Sequence, residues 1–451
     1  MIRRIVLFGA TGDLSSRYLL PALAHLHEAR RLPEGFALIG ASREEWDTDR
    51  FRREAERDLD EHAAEVARDS RKAVLAGLEY RRADAADRDD VAAVLREVAE
   101  PVAVYLALPP QVYPRALQAL AGARMEEGSR VVVEKPFGED LASARGLNEI
   151  LRRDFPEDRV FRMDHFLGLQ TVQNVLGLRF ANRVFEPLWS REHVESVTVV
   201  WDETLALEGR AGYYDRAGAL RDMIQNHLLQ VLCLVAMEPP ASLDESDLRD
   251  RKLELLRTVR PPSLEDVERH TVRARYAAGR IGERRVKAYV DEEGVDPERR
   301  TETFARVTLF VANDRWSGVP FTLRTGKALG EDRHEIVLRF RRSPHATFAG
   351  EESEPNVLRL SMEPDGMSLG LNVNAAGEIF DLERVQLDVA LAPPELPAYA
   401  QLLLDVLRGD PALFVRGDEA EAAWRIVDPI HRAWSEDKAP LLEYAAGSEG
   451  P

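Results

Sequence analysis

The chain has 451 residues, of which 45% are hydrophobic, 7% aromatic and 31% charged, a composition typical of a globular protein with two or three domains. The net charge of −18 argues against nucleic acid and against anionic membranes as partners, because like charges repel. The first residues carry no signal-peptide pattern and no apolar segment has the length of a membrane span, so we expect a cytoplasmic protein. The single cysteine, Cys233, cannot form an intramolecular disulfide, and no metal site is predicted.

The first predicted element is a buried strand at Ile5–Phe8, followed by a glycine-containing turn and an amphipathic helix. In that turn Gly9 allows a sharp change of direction, and Gly12 allows the backbone to approach a pyrophosphate closely. A helix N-terminus placed there would present free backbone N–H groups to a phosphate. The turn reads G-x-x-G-D-L rather than G-x-G-x-x-G, so by itself a plain tight turn explains it almost as well.

A second buried strand is predicted at Phe36–Gly40, with Arg43 shortly after its end. In dinucleotide-binding folds an arginine here favours the 2′-phosphate of NADP, whereas a carboxylate favours the free ribose hydroxyl of NAD. Arg43 therefore predicts NADP as the cofactor. The neighbouring Glu44 keeps NAD possible.

The next segment, Asp47–Val98, is rich in charge and helical in pattern, and we expect it to form a solvated outer layer. Buried strands are predicted at Val102–Leu108 and Arg130–Val133, and the second is followed directly by Glu134 and Lys135. Ligands bind at the carboxyl ends of parallel strands, so these two residues are candidates for a site.

Ionisable residues also interrupt two apolar segments. The helix predicted at Arg221–Gln230 is apolar on nearly every side, yet it carries Asp222 and His227, and the motif FRMDHFLG supplies Asp164 and His165. Burying such groups is costly unless they have partners or a function. A histidine oriented by a carboxylate is the minimum needed to remove a proton from a hydroxyl. Side chains alternate along an extended chain, so we expect Asp164 and His165 to point to opposite faces.

These and further motifs resemble the glucose-6-phosphate dehydrogenase family over the full length of the chain. The stretches that carry the resemblance include GATGDLSSRYLLPAL, EKPFG, RMDHFLG, RDMIQNHLLQ and TLRTGKAL. The resemblance implies oxidation of the C1 hydroxyl of a pyranose to a lactone, with NADP or NAD as acceptor. It also implies an α/β Rossmann-type dinucleotide-binding domain, residues 1–162, followed by an α+β domain with a large antiparallel sheet, residues 163–451. A homodimer or a dimer of dimers is expected through that sheet.

The resemblance also implies roles for individual residues. His227 is similar to the general base, and Asp164 to the carboxylate that orients it. The residues implied at the sugar are His165, Lys135, Glu203, Asp222 and Lys327, although Glu203, Asp222 and Lys327 taken singly could be structural charges. The residues implied at the cofactor are Gly9, Thr11, Gly12, Asp13, Leu14, Arg43, Ala107, Leu108, Pro109, Glu134 and Lys135.

The chain departs from the family pattern where the family holds the sugar phosphate. Phe166 stands in place of a tyrosine, Leu169 in place of a lysine, and Asp332, with Arg333 beside it, in place of a basic residue. Glu363 aligns with a glutamine. A carboxylate about 4 Å from a phosphate repels it by roughly 4 kcal/mol or more, and each lost charge-assisted hydrogen bond costs about 1.5–3 kcal/mol.

Three hypotheses about the function remain open. The first is an NADP-dependent C1 dehydrogenase acting on an unphosphorylated sugar or an amino sugar. The alternative is an ordinary glucose-6-phosphate 1-dehydrogenase of the oxidative pentose phosphate pathway, in which Lys327, Arg333 or a neighbouring loop supplies the missing cation. The second alternative is a non-catalytic, cofactor-binding regulatory partner.

Overall fold

The computed structural model describes residues 1–207, 209, 211–343, 354–377 and 381–451. The chain forms two compact units, each built from three separate segments. The first unit comprises Met1–Leu169, Pro240–Asp250 and Pro394–Glu421, and the second comprises Gln170–Pro239, Arg251–Pro393 and Ala422–Pro451. The domain boundary placed at residue 162 stays a prediction.

The first unit contains a six-stranded, all-parallel sheet with the strand order of a Rossmann-type fold, β3-β2-β1-β4-β5-β6. Its strands are β1 (Arg4–Phe8), β2 (Ala37–Ser42), β3 (Leu78–Arg82), β4 (Ala103–Leu106), β5 (Arg130–Glu134) and β6 (Val160–Met163). The four strands predicted as buried apolar runs are therefore confirmed as β1, β2, β4 and β5.

The prediction for Asp47–Val98 was incomplete, because this charge-rich segment contains β3 as well as helices. Leu78 and Tyr80 are buried, whereas the residues between and after them are partly or fully exposed. A short strand at the edge of a sheet tolerates charged neighbours, so its sequence lacks the continuous apolar run of the central strands.

The α-helices are α1 (Leu20–Glu28), α2 (Thr48–His62), α3 (Arg68–Ala76), α4 (Arg88–Arg96), α5 (Tyr113–Ala121), α6 (Leu141–Asp154), α7 (Gln170–Phe180), α8 (Ala211–Ala219), α9 (Leu229–Ala236), α10 (Glu245–Thr258), α11 (Leu264–His270), α12 (Ala398–Arg408) and α13 (Gly417–Ser435). Two further segments, Ser15–Leu19 and Leu220–Leu228, are π-helical. Among the described helices, none combines the length and the apolar character needed to cross a membrane.

The second unit contains a nine-stranded sheet in the order β16-β15-β14-β13-β7-β12-β11-β8-β17. Its strands are β7 (Val194–Asp202), β8 (Thr271–Ala277), β11 (Phe304–Phe310), β12 (Pro320–Gly326), β13 (Arg333–Phe340), β14 (Val357–Met362), β15 (Asp365–Asn374), β16 (Leu382–Ala390) and β17 (Leu441–Ala445). Strands β9 (Gly279–Ile281) and β10 (Arg284–Val286) form a separate hairpin. The large sheet is confirmed, but it is mixed, because β12 pairs with β7 and β17 pairs with β8 in parallel.

The apolar core of the first unit includes one side of its parallel sheet. Leu7 on β1, Leu23 on α1 and Phe51 on α2 are almost completely buried in one cluster. Leu403 on α12 belongs to the same cluster, although it is remote in sequence. The C-terminal segment Pro394–Glu421 is therefore part of the nucleotide-binding unit, which the sequence patterns did not predict.

Candidate active site

The glycine turn after β1 has the geometry of a phosphate-binding turn. Gly9 adopts φ +84°, and a Cβ there would lie 2.1 Å from the Ala107 carbonyl oxygen, so a larger residue would not fit. The N–H of Gly12 donates to the Gly9 carbonyl at 3.1 Å and closes the turn. The helical segment Ser15–Leu19 follows the turn directly, and a helix N-terminus after a glycine turn is the arrangement that binds the phosphates of a dinucleotide.

The structure brings together the cofactor residues that were predicted from separate motifs. Ala107, directly after β4, donates its N–H to the Phe8 carbonyl at 2.9 Å. The turn residues Gly9, Thr11, Gly12, Asp13 and Leu14 and the segment Ala107, Leu108 and Pro109 thus follow neighbouring parallel strands. The end of β2 joins them, since the N–H of Thr11 donates to the Ser42 hydroxyl at 3.3 Å. Arg43, the next residue, is exposed.

Glu134 lies buried at the carboxyl end of β5, next to the half-buried Lys135. Its carboxylate accepts a hydrogen bond from the Tyr105 hydroxyl, and its N–H donates to the Tyr113 hydroxyl at 3.1 Å. Burial raises the pKa of Glu134 to about 7, while the Tyr105 hydrogen bond and the Lys135 charge oppose that rise. The EKP motif therefore places a carboxyl that titrates near neutral pH beside the lysine.

Asp164 and His165 stand where β6 gives way to a 3-10 turn, His165–Gly168. Asp164 is fully buried, and its carboxylate accepts the Phe166 N–H at 3.1 Å, which caps the turn. The expectation of opposite faces was wrong: a carboxylate oxygen of Asp164 and a ring nitrogen of His165 lie within 4.8 Å of each other. The alternation rule fails here because the chain turns at His165 instead of staying extended.

The ring of His165 lies against two aromatic side chains. It stacks on Tyr399 of α12, with ring centroids 5.4 Å apart and planes 13° apart, and it meets Phe166 edge to face at 5.1 Å. Tyr399 also packs against Tyr18, just after the glycine turn, with ring centroids 5.1 Å apart. Sequence reasoning missed Tyr399, because its segment, AYAQLLLDV, reads as an ordinary amphipathic helix.

In the second unit, His227 and Asp222 lie on the π-helical segment Leu220–Leu228. His227 is 1% exposed, and its main-chain N–H donates to the Asn226 side-chain oxygen at 2.6 Å. The Asp222 carboxylate is only half-buried and faces the Tyr213 hydroxyl at 3.4 Å. Single π-helical turns recur at functional sites, where they redirect side chains out of the regular helical positions. The sequence indicated a buried helix here but not this change of pitch.

Glu203 and Lys327, predicted from separate motifs, form an ion pair of 2.6 Å in the second unit. The Lys327 ammonium also lies 5.3 Å from the centre of the Tyr214 ring. Strands β7 and β12 are paired in parallel, and Glu203 and Lys327 follow their ends at the same edge of the sheet. The two charges therefore stabilise each other.

The residues predicted to depart from the family pattern differ in burial and contacts. Phe166 is 2% exposed, whereas Leu169 is half-buried. The Asp332 carboxylate accepts the N–H of Thr204 at 2.6 Å and its hydroxyl at 3.1 Å.

Arg333 and Glu363 each have an ionisable partner as well. The Arg333 guanidinium lies 2.6 Å from the buried Asp202 carboxylate, which Arg324 contacts as well at 3.0 Å. A carboxylate oxygen of Glu363 lies 3.2 Å from Nδ1 of His334. The His334 ring stacks on Trp201, with ring centroids 3.8 Å apart. Arg333 is therefore paired with a buried carboxylate.

Two family models together match almost the whole chain. Residues 6–174 match the glucose-6-phosphate dehydrogenase NAD binding domain, and residues 176–451 match the glucose-6-phosphate dehydrogenase C-terminal domain. The glucose-6-phosphate 1-dehydrogenases of Treponema pallidum and Gluconobacter oxydans are 42% and 43% identical to it. Each alignment covers 99% of this chain and 92% and 94% of those proteins, respectively.

Solved structures agree with these sequence matches. A glucose-6-phosphate dehydrogenase in complex with its substrate glucose-6-phosphate superposes with a TM-score of 0.91 at 32% identity, covering 100% of this chain and 96% of that one. The glucose-6-phosphate 1-dehydrogenase from Mycobacterium avium gives 0.87 at 33% identity, with the same coverage. The chain therefore belongs to the glucose-6-phosphate dehydrogenase family, whose members are NADP-dependent oxidoreductases that act on a sugar CH–OH group.

Proposed function

We propose that this protein is a glucose-6-phosphate 1-dehydrogenase that oxidises the C1 hydroxyl of glucose 6-phosphate to the lactone with NADP. The observation that carries the proposal is similarity over the full chain, both to proteins of that name and to a structure solved with glucose 6-phosphate as substrate. This similarity favours the phosphorylated sugar over the unphosphorylated sugar that the sequence departures led us to expect first.

In the proposed reaction the imidazole of His227 accepts the proton of the C1 hydroxyl. Asp164 orients that imidazole and stabilises the imidazolium that forms, as the carboxylate does in other histidine-based sites. NADP, when bound, supplies the acceptor for the hydride that leaves C1. Both residues are almost fully buried, and a charge pair gains strength where water is excluded.

The remaining polar residues bind and orient the sugar. Asp222 and Glu203 are proposed to accept hydrogen bonds from its hydroxyls, and Lys135 to donate to it. His165 and Lys327 are proposed to hold the phosphate. An ammonium group has three donors, so Lys327 keeps two for phosphate oxygens while it remains paired with Glu203.

The proposal is tested by the rate of NADPH formation with glucose 6-phosphate, glucose and glucosamine at equal concentrations. We expect kcat/KM for glucose 6-phosphate to exceed that for either unphosphorylated sugar by about 100-fold or more, since the phosphate contributes several charge-assisted hydrogen bonds. NADP binding without turnover of any sugar would instead support a non-catalytic partner.

A second candidate, oxidation of an unphosphorylated or amino sugar, rests on Leu169, Phe166 and Asp332. Under this hypothesis glucose or glucosamine is the better substrate. The triple variant Phe166→Tyr, Leu169→Lys, Asp332→Arg would then shift the preference toward the phosphate ester, and added salt would reduce the shift. Glu331→Arg, which changes an exposed neighbouring carboxylate by the same charge as Asp332→Arg alone, is the control for that part of the variant. The cytoplasmic location and the homodimer likewise stay predictions.

A further inference from the structure

The segment Thr301–Thr303, directly before β11, has no role in the proposed reaction, yet it bonds to two parts of the chain that do. The carbonyl of Thr303 accepts the main-chain N–H of Lys327 at 3.0 Å. The hydroxyl of Thr301 donates to the Asp215 carbonyl in α8 at 2.7 Å. Helix α8 runs into the π-helical segment that carries the proposed base. The three residues therefore connect the segment with the base to a residue proposed to hold the phosphate.

Glu302, the middle residue, bonds twice to the start of that π-helical segment, Leu220–Leu228. Its main-chain carbonyl accepts the N–H of Ala219 at 3.1 Å, and its carboxylate accepts the N–H of Leu220 at 3.0 Å. The first N–H groups of a helix have no partner within the helix, so an acceptor from elsewhere must satisfy them. A carboxylate is favoured there because the N-terminal end of a helix carries a partial positive charge. Glu302 therefore fixes the residue at which the segment begins.

The chain makes room for the Glu302 carboxylate at Gly218, the residue before Ala219. Gly218 adopts φ +68° and ψ 167°, angles that interrupt α8 and that only glycine adopts without strain. A Cβ at this position would lie 2.8 Å from the carboxylate carbon of Glu302. A side chain here would therefore displace the carboxylate from the N–H groups that it satisfies. The glycine and the glutamate depend on each other.

We infer that Glu302 is a positioning residue, which directs the Asp222 carboxylate and the His227 imidazole by fixing the start of the segment that carries both. Asp222 and His227 follow Leu220 by two and seven residues. A helical segment with a fixed start carries its later side chains in fixed directions, and a base must lie within hydrogen-bond distance of the hydroxyl that it deprotonates. Loss of the Glu302 carboxylate lets the segment shift, which misdirects both side chains. This inference rests on the proposed function, from which it takes the roles of Asp222 and His227.

The test combines the rate of NADPH formation from glucose 6-phosphate with calorimetric titration of NADP, on the full-length protein well below its unfolding temperature. In Glu302→Ala, kcat should fall by roughly 10- to 100-fold, because a misplacement of about 1 Å is enough for a loss of that size. The dissociation constant of NADP, which binds in the first unit, should stay within about two-fold. Glu302→Gln keeps an oxygen for the N–H of Leu220, so its kcat should stay within about three-fold of the wild type. Glu298→Ala, at an exposed carboxylate four residues earlier, is the matched control and should leave kcat unchanged.

Gly218→Ala disturbs the same contact from the other side and tests it even if Glu302→Ala does not fold. It should lower kcat as well, and the double variant Gly218→Ala, Glu302→Ala should lose less than the product of the two single losses, because the clash is then absent.

Three results would overturn the inference: wild-type kcat in Glu302→Ala, equal losses in Glu302→Ala and Glu302→Gln, or losses that multiply in the double variant. A wild type that does not oxidise glucose 6-phosphate would refute the proposed function alone. The same variants would then be compared with the sugar that the wild type does oxidise.

Discussion

The buried carboxyl of Glu134 makes the stability of this protein depend on pH in a defined direction. Its pKa is raised from 4.5 to about 7, mainly by burial. Between these values the folded state binds a proton that the unfolded state does not, so the free energy of unfolding falls as pH rises. The contribution of Glu134 to the free energy of unfolding is fully present below pH 4.5 and is lost as the pH rises through 7. A shift of this size corresponds to about 3 kcal/mol as an upper bound.

The perturbation is Glu134→Gln, which removes the titrating proton and keeps an oxygen to accept the Tyr105 hydroxyl. We expect the variant and the wild type to melt at similar temperatures near pH 5. At pH 8 the variant should melt higher by several degrees, because only the wild type then buries a charge. With roughly 2–4 °C per kcal/mol for domains of 150–250 residues, the upper bound is about 12 °C.

The assay is thermal unfolding followed by circular dichroism from pH 5 to pH 8, without nucleotide. Other raised groups, such as Asp405 with a pKa of about 6, cancel because they are present in both proteins. Glu139→Gln, at an exposed carboxylate five residues away, is the control. The difference in melting temperature between this variant and the wild type should not change with pH. Parallel curves for wild type and Glu134→Gln, or a variant that loses stability at high pH, would refute the reasoning.

Three further predictions concern binding and catalysis. Replacing His227 with Asn should lower kcat by about 10²–10⁴ while NADP affinity stays the same, and near-normal turnover would place the base elsewhere. His193→Asn, at an exposed histidine, is its control. Replacing Arg43 with Ala should weaken NADP binding in titration and spare NAD, so equal weakening would contradict its role at the 2′-phosphate. Replacing Tyr399 with Leu should raise the sugar KM about 2- to 10-fold through loss of the stack on His165, whereas Tyr399→Phe should not; identical effects would exclude stacking.

The elements that the sequence predicted correctly depend on local patterns of residues. The central strands appeared as apolar runs, and the glycine turn followed the first of them, because a buried parallel strand and a tight turn each impose their own residue types. Strand β3 was missed for the same reason, since an edge strand imposes weaker requirements. The π-helical pitch around His227 left no comparable pattern in the residues.

The sequence by itself determined the family, the Rossmann-type unit and the residues proposed for proton transfer, since each depends on short motifs. Only the tertiary structure decided which charges are already paired and which carboxyl titrates near neutral pH. Lys327 forms an ion pair with Glu203, Glu44 accepts a hydrogen bond from Thr11, and the buried Glu134 accepts one from Tyr105. The two residues of each pair are far apart in the chain. A pKa, a hydrogen bond or an ion pair depends on distance and burial in space, and periodicity along the sequence does not encode these.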